Sequence, residues 1–126
     1  MGYLNFEAIA AAQDTLTETV EVPEWGGSVL VRGLSAMQAD EYRKAQFKGK
    51  GKRMRLDMTL AHARLCALCM VDEAGKRLFS DTQVAVLGRK SGKAVDRVYE
   101  VAARLSGLSD DDEELEKNSE PTPPSA

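Results

Sequence analysis

Residues 17–22, Thr-Glu-Thr-Val-Glu-Val, alternate polar and branched side chains, the period of a half-buried strand, in a chain whose other apolar residues recur mostly at helical spacing. Pro23 ends that run, Glu24, Trp25, Gly26 and Gly27 supply a turn, and residues 28–32, Ser-Val-Leu-Val-Arg, return. Two strands alone are marginal in water. The hairpin must therefore lie on helices or pair its edge with another chain. This requirement selects a mixed architecture.

The helices are read from caps and spacing. Ser35 with Gln38 three residues later forms a capping box, opening a helix over residues 36–47 with Met37, Tyr42 and Phe47 as its large apolar side chains. Lys48, Gly49, Lys50, Gly51, Lys52 and Arg53 then break it as a flexible basic loop. Asp57 is the N-cap expected for a second helix over residues 57–71. Leu60, Arg64, Ala67 and Val71 share a stripe there, widened by Leu65, Leu68 and Cys69, so this helix belongs at the centre of the core. Residues 71–79 read as a turn with a short hairpin-like return. Ser80, again with Gln at the third position, caps a short helix over 81–87 that Gly88 ends. Ser91 starts the last helix, where Val95, Val98, Tyr99, Ala102 and Leu105 repeat at helical spacing until Gly107.

The expected fold is mostly α, in an α+β arrangement. About four helices and an N-terminal β-hairpin make one small domain over residues 17–108. An arm over 1–16, where Phe6-Glu7-Ala8-Ile9-Ala10-Ala11-Ala12 favours a short helix, precedes it. That helix is too short to hold alone and needs a partner surface. A disordered acidic tail over 109–126, rich in Pro and Ser, follows. The 126 residues suffice for a core without staples. An aromatic share of 6% suits helices packed through Leu, Val and Ala better than a β-sandwich.

Net charge is -3 and lies in blocks: seven basic residues and no acid over 43–55, six acids and no base over 110–116. A weakly acidic total argues against a dedicated nucleic-acid binder. The N-terminus lacks a basic-then-apolar leader, and no run approaches the roughly 18 apolar residues that span a bilayer. The sequence thus predicts no membrane association and a cytosolic protein.

Catalytic and cofactor chemistry find no constellation. Cys66 and Cys69 are spaced C-x-x-C, but with His62 they supply three of the four ligands a structural zinc wants. They sit in an apolar helical stretch, where free Cys behaves as a small buried hydrophobe and points to a reducing compartment. His62 is alone on its helix, the usual setting of a packed or surface His rather than a base. Gly49 and Gly51 lack the spacing of a phosphate loop. The expectation is no catalytic residue, no cofactor and no metal. An alternative function is a small helix-turn-helix-like DNA-binding regulator: residues 81–87 and 91–106 are joined by Gly88-Arg89-Lys90, and Arg89, Lys90 and Lys93 face phosphate in that reading. The acidic tail would repel DNA.

The order of segments carries a resemblance. The run V-E-V-P-E-W-G-G-S-V-L-V-R-G-L at 20–34 precedes a capped helix; C-A-L-C-M-V-D-E-A-G-K-R-L-F-S at 66–80 precedes a short one; R-L-S-G-L-S-D-D-D-E-E-L-E-K-N closes at 104–118. Over roughly residues 17–118 the chain resembles the tail assembly chaperones of long-tailed, non-contractile bacteriophages. V-D-E-x-G-x-R-L-F-S and R-L-S-G-L are the most specific parts. The resemblance implies a small, mostly helical, non-enzymatic protein of the host bacterial cytoplasm. It implies binding to the tape measure protein, keeping it soluble, recruiting tail tube subunits, and absence from the mature virion. It also implies a longer product made by programmed frameshifting. Glu116, Lys117 and Asn118 can be encoded GAA-AAA-AAC, which contains a slippery heptamer, and the gene sequence decides that point.

A long helical client with apolar stripes needs an apolar groove. The expected partner-contact residues are Trp25, Val29 and Val31 on the hairpin and Met37 and Tyr42 on the first long helix. Trp25 has the strongest claim, since Trp is favoured in binding hot spots. The hairpin edge and the N-terminal arm add routes to pairing with other copies, as a homo-oligomer.

Overall fold

The computed structural model describes residues 2–108. The acidic tail expected at 109–126, and the codons for Glu116, Lys117 and Asn118, lie outside the described residues.

The hairpin forms from β1 (Thr17–Val22) and β2 (Gly27–Arg32), joined by a 3-10 turn over Pro23–Trp25 and by Gly26 at φ 76°. The antiparallel register sets Val20 opposite Val29 and Glu18 opposite Val31. Cross-strand partners share a face, so Val20, Val22, Val29 and Val31 all point inward. The opposite face carries Thr17, Thr19, Glu21 and Ser28.

Among the described residues there are five helices, in chain order. They are α1 (Phe6–Ala11), α2 (Ala36–Ala45), α3 (Ala61–Cys69), α4 (Val84–Gly88) and α5 (Gly92–Leu105). The fold is α+β, as expected. The capping boxes at Ser35 with Gln38 and at Ser80 with Gln83 are both made, and Ser91 accepts from the Ala94 amide. α3 is the central helix: Ala61, Ala63, Leu65, Cys66, Ala67, Leu68 and Cys69 are all buried. It packs on α5 and α4, while α5 crosses the inner face of β1 and β2. Ala94, Val95, Val98 and Ala102 of α5 are buried there, with Tyr99 and Leu105 at the margin.

Three local expectations differ. Residues 70–71, read as the end of a helix and a turn, are a third strand, β5 (Met70–Val71), pairing Val31 with Met70 and Leu30 with Val71. Two apolar residues show no alternation, so only the waiting edge of β2 makes them a strand. The central helix starts at Ala61 rather than 57. Asp57 accepts the Thr59 amide in a local turn, and Leu60 takes a left-handed φ of 61°, which interrupts helix. The first long helix ends at Ala45. The basic loop behind it is the tip of a small flap, in which β3 (Phe47–Lys48) pairs with β4 (Arg55–Leu56).

Gln46 anchors that flap. It is only 4% exposed. Its amide nitrogen donates to the Tyr42 carbonyl at 2.6 Å, and its side-chain oxygen accepts from Arg64 at 2.8 Å. Its backbone carbonyl accepts from the Asp57 amide, just past the far strand. A polar group buried this deeply is tolerated because it is hydrogen-bonded.

The segment Val71–Ser80 in V-D-E-x-G-x-R-L-F-S is likewise a structural device. Asp72 accepts the Ala74 and Lys76 amides, each at 2.9 Å, and Gly75 turns the chain at φ 84°. Arg77 then donates to the Ala67 carbonyl near the end of α3, satisfying one of the acceptors a helix leaves unpaired there.

Two ion pairs tie the hairpin to α5. Arg97 grips both carboxylate oxygens of Glu24, at 2.5 and 3.0 Å, and Arg104 reaches Glu18 at 2.6 Å. The Arg97 guanidinium holds the Glu24 carboxyl down to about 2 from an ordinary 4.5. The folded-state value lies below the unfolded one, so this contribution is complete above about pH 4.5 and is lost as the pH falls toward 2. Urea midpoints measured across that window should drop in the native chain and drop less in Glu24→Gln.

Candidate partner interface

The core is filled, yet many large apolar side chains stay outside it, in three places. The first is the N-terminal arm. Asn5 caps α1 by accepting the Ala8 amide, but the helix buries none of its residues. Tyr3, Leu4, Phe6, Ile9 and Leu16 are exposed along it. Six residues are too few for a helix to persist unaided, so the arm is built for a surface it does not touch within its own chain.

The second place is the flap. Phe47 and Leu56 are cross-strand partners and share one face, while Lys48 and Arg55 share the other. Both apolar side chains are exposed, as is Met54 between them in sequence. The result is a small two-faced hairpin, apolar on one side and basic on the other. Gly49 at φ 89° makes its turn possible.

The third place is a shallow groove of about 330 Å³ between the start of α3 and the α4–α5 junction. Met58 and Leu60 are its exposed apolar edges, above Leu87 and Val95, which belong to the buried core, with Lys90 and Asp96 as polar groups. A Cβ built on Gly88 would stand 2.5 Å from the Leu60 side chain, so glycine lets Leu60 lie across the groove. Leu60 is held in the one left-handed non-glycine conformation among the described residues. Such conformations cost of order 1 kcal/mol or more and persist where the surroundings hold them.

The five expected contact residues do not form one surface. Met37, at 73% exposed, stands fully on the outside. Val31 and Tyr42 are buried in the core, and Val29 is partly buried against it. Trp25 packs on the core as well, and its buried indole Nε1–H has no hydrogen-bond partner among the described residues. An unsatisfied buried donor is costly. Trp25→Phe removes that donor along with some ring area, so its thermal midpoint should correspond to a change within about 1 kcal/mol of neutral. The flap face and the groove are the surfaces that residue-by-residue reading missed. The exposed stretch Tyr3 to Ile9 was legible as sticky, but nothing local says that Phe47 and Leu56 would be left uncovered.

The groups singled out for chemistry are placed as follows. Cys66 and Cys69 are free and buried, Cys66 donating to the Val95 carbonyl at 3.5 Å. Burial pushes the Cys66 thiol up to about 12 and the Cys69 thiol up to about 11. A thiol held protonated is a poor nucleophile. An aromatic disulfide reagent at pH 8 should therefore label neither cysteine in the folded chain and both in denaturant. His62 stacks on Tyr99, with ring centroids 3.8 Å apart, and its Nδ1 lies 2.8 Å from Asp96. It is a half-exposed ring at the groove, tied to the neighbouring helix. No helix of the described residues is long and apolar enough to cross a membrane.

These features add up to a filled core with adhesive surface outside it. No curated protein and no solved structure matches the chain. A family model described as phage tail assembly chaperone matches it over residues 5–118.

Proposed function

The chain belongs to the phage tail assembly chaperone family, a family of assembly factors rather than enzymes, and from that premise we propose that it binds the tape measure protein. It keeps that protein soluble and helps recruit tail tube subunits during tail assembly. It acts in the host bacterial cytoplasm and is left out of the mature virion.

The observation that carries this reading is the groove edged by the exposed Met58 and Leu60 over the buried Leu87 and Val95. A tape measure is a long helical chain whose apolar stripe is uncovered until the tube surrounds it. A helix offers anchors at i, i+3, i+4 and i+7, and an apolar groove takes one or two of them at a time. Weak, repeated capture of this kind masks a stripe while allowing release to the tube. Met37 is the expected contact residue that we retain for direct contact. Val31 and Tyr42 are core residues and are not retained as contacts.

Co-expression with the tape measure protein tests the proposal. The native chain should carry that protein into the soluble fraction and co-purify with it. Met58 is half exposed, so Met58→Glu should fold normally yet lose most of that rescue. If the tape measure protein stays insoluble beside the native chain, the proposal fails. The helix-turn-helix alternative is not carried forward, because the family is one of assembly chaperones.

A further inference from the structure

The arm and the flap are complementary to each other. The arm, residues 2–16, carries Glu7 and Asp14 and no basic side chain, and it exposes Tyr3, Leu4, Phe6, Ile9 and Leu16. The flap lies in the block 43–55, which carries seven basic side chains and no acid, and it exposes Phe47, Met54 and Leu56. One side is apolar and acidic, the other apolar and basic. Within one chain neither covers the other: α1 buries no residue, and both residues of β3 and of β4 are exposed.

We propose that the N-terminal arm of one copy docks on the β3–β4 flap of a second copy, laying Phe6 and Ile9 against Phe47 and Leu56 with Glu7 and Asp14 among the flap cations. The acidic segment 110–116 has more charge for a basic surface, but Leu115 is its one large apolar residue. The flap's apolar face calls for an occupant with several, which the arm supplies. Arm and flap are different patches, so the contact is heterologous. Two copies can close it by mutual exchange, or each copy can pass its arm onward in an open row. An open row would set the grooves of successive copies at a repeat, suited to a long client. The pairing itself does not depend on the tape measure reading and is tested without it.

Light scattering coupled to size exclusion reads the mass. The native chain, 13.7 kDa per copy, should run at two copies or more. Removal of residues 2–16 should reduce it to one, with the far-UV spectrum of the remaining helices retained. The flap reversal Lys50→Glu, Lys52→Glu, Arg53→Glu should do the same, since all three side chains are exposed and a like-charged flap repels the acidic arm. Adding Glu7→Lys and Asp14→Lys to the reversed flap should restore the native mass, which a folding defect would not allow. A native chain of one-copy mass, including one whose arm folds onto its own flap, overturns the proposal. So does an assembly that survives loss of the arm, or a reversed flap that the reversed arm fails to rescue.

Discussion

Leu65→Ala is expected to destabilise the protein by about 2–5 kcal/mol, enough to remove much of the stability of a domain this size. Leu65 is fully buried on the central helix, among the largest side chains of the core. Ala61 and Cys69, four residues before and after it on the same face of α3, are small and buried, so they fill little of the space left behind. The cost is then lost transfer energy plus an uncollapsed cavity. Urea unfolding should show a lower midpoint at an unchanged slope. Leu78→Ala supplies the comparison: Leu78 is half exposed, and its removal should stay within about 0.5 kcal/mol. Equal losses at the two positions would mean that the core does not sit where α3 places it. A stability loss of the size expected for Leu65→Ala should also lower the steady-state level of the chain in cells, and the capacity to solubilise a client with it.

Gly33→Ala should cost about 3 kcal/mol or more, although it adds a single methyl group. Gly33 follows β2 where the chain passes the end of α5. A Cβ built there would stand 2.5 Å from the Leu105 carbonyl oxygen and 2.9 Å from its carbon. Both are backbone atoms, so no side chain can rotate away. Retreat of α5 would strain the bond from the Leu34 amide to Ser106 Oγ, 2.9 Å long, and retreat of Gly33 would strain the bond from its amide to the Leu16 carbonyl. Gly27→Ala separates this crowding from general glycine effects. Nothing lies within 4 Å of a Cβ at Gly27, so alanine there should be neutral, or stabilising by a few tenths of a kcal/mol through the unfolded chain. Thermal midpoints of the two variants should diverge, with Gly33→Ala several degrees lower.

Much of the fold was legible because its signals are local. Ser35, Ser80 and Ser91 announce helix starts whose hydrogen bonds close within three residues, and all three are made. The alternation at 17–22 and the glycines after Trp25 announce a hairpin, and it forms in the register that buries its valines. The apolar density of residues 61–69 announces a helix buried nearly all round. Asp57 shows the limit of such signals. It is a good cap residue, but its side chain bonds the Thr59 amide in a turn of its own, and Leu60 then bars the helix from starting there.

The sequence by itself determined the architecture, the caps, the central place of α3 and the family, because caps, periodicity and segment order are properties of neighbouring residues. Only the tertiary structure decided which apolar residues stay uncovered. Ile9 and Leu65 are alike as side chains, yet one is exposed and the other sealed. Phe47 and Leu56 become a face only because β3 and β4 pair, and Met70 and Val71 become a strand only because the edge of β2 is there to receive them. Burial and strand pairing depend on what distant parts of the chain bring alongside, and no window of sequence contains that.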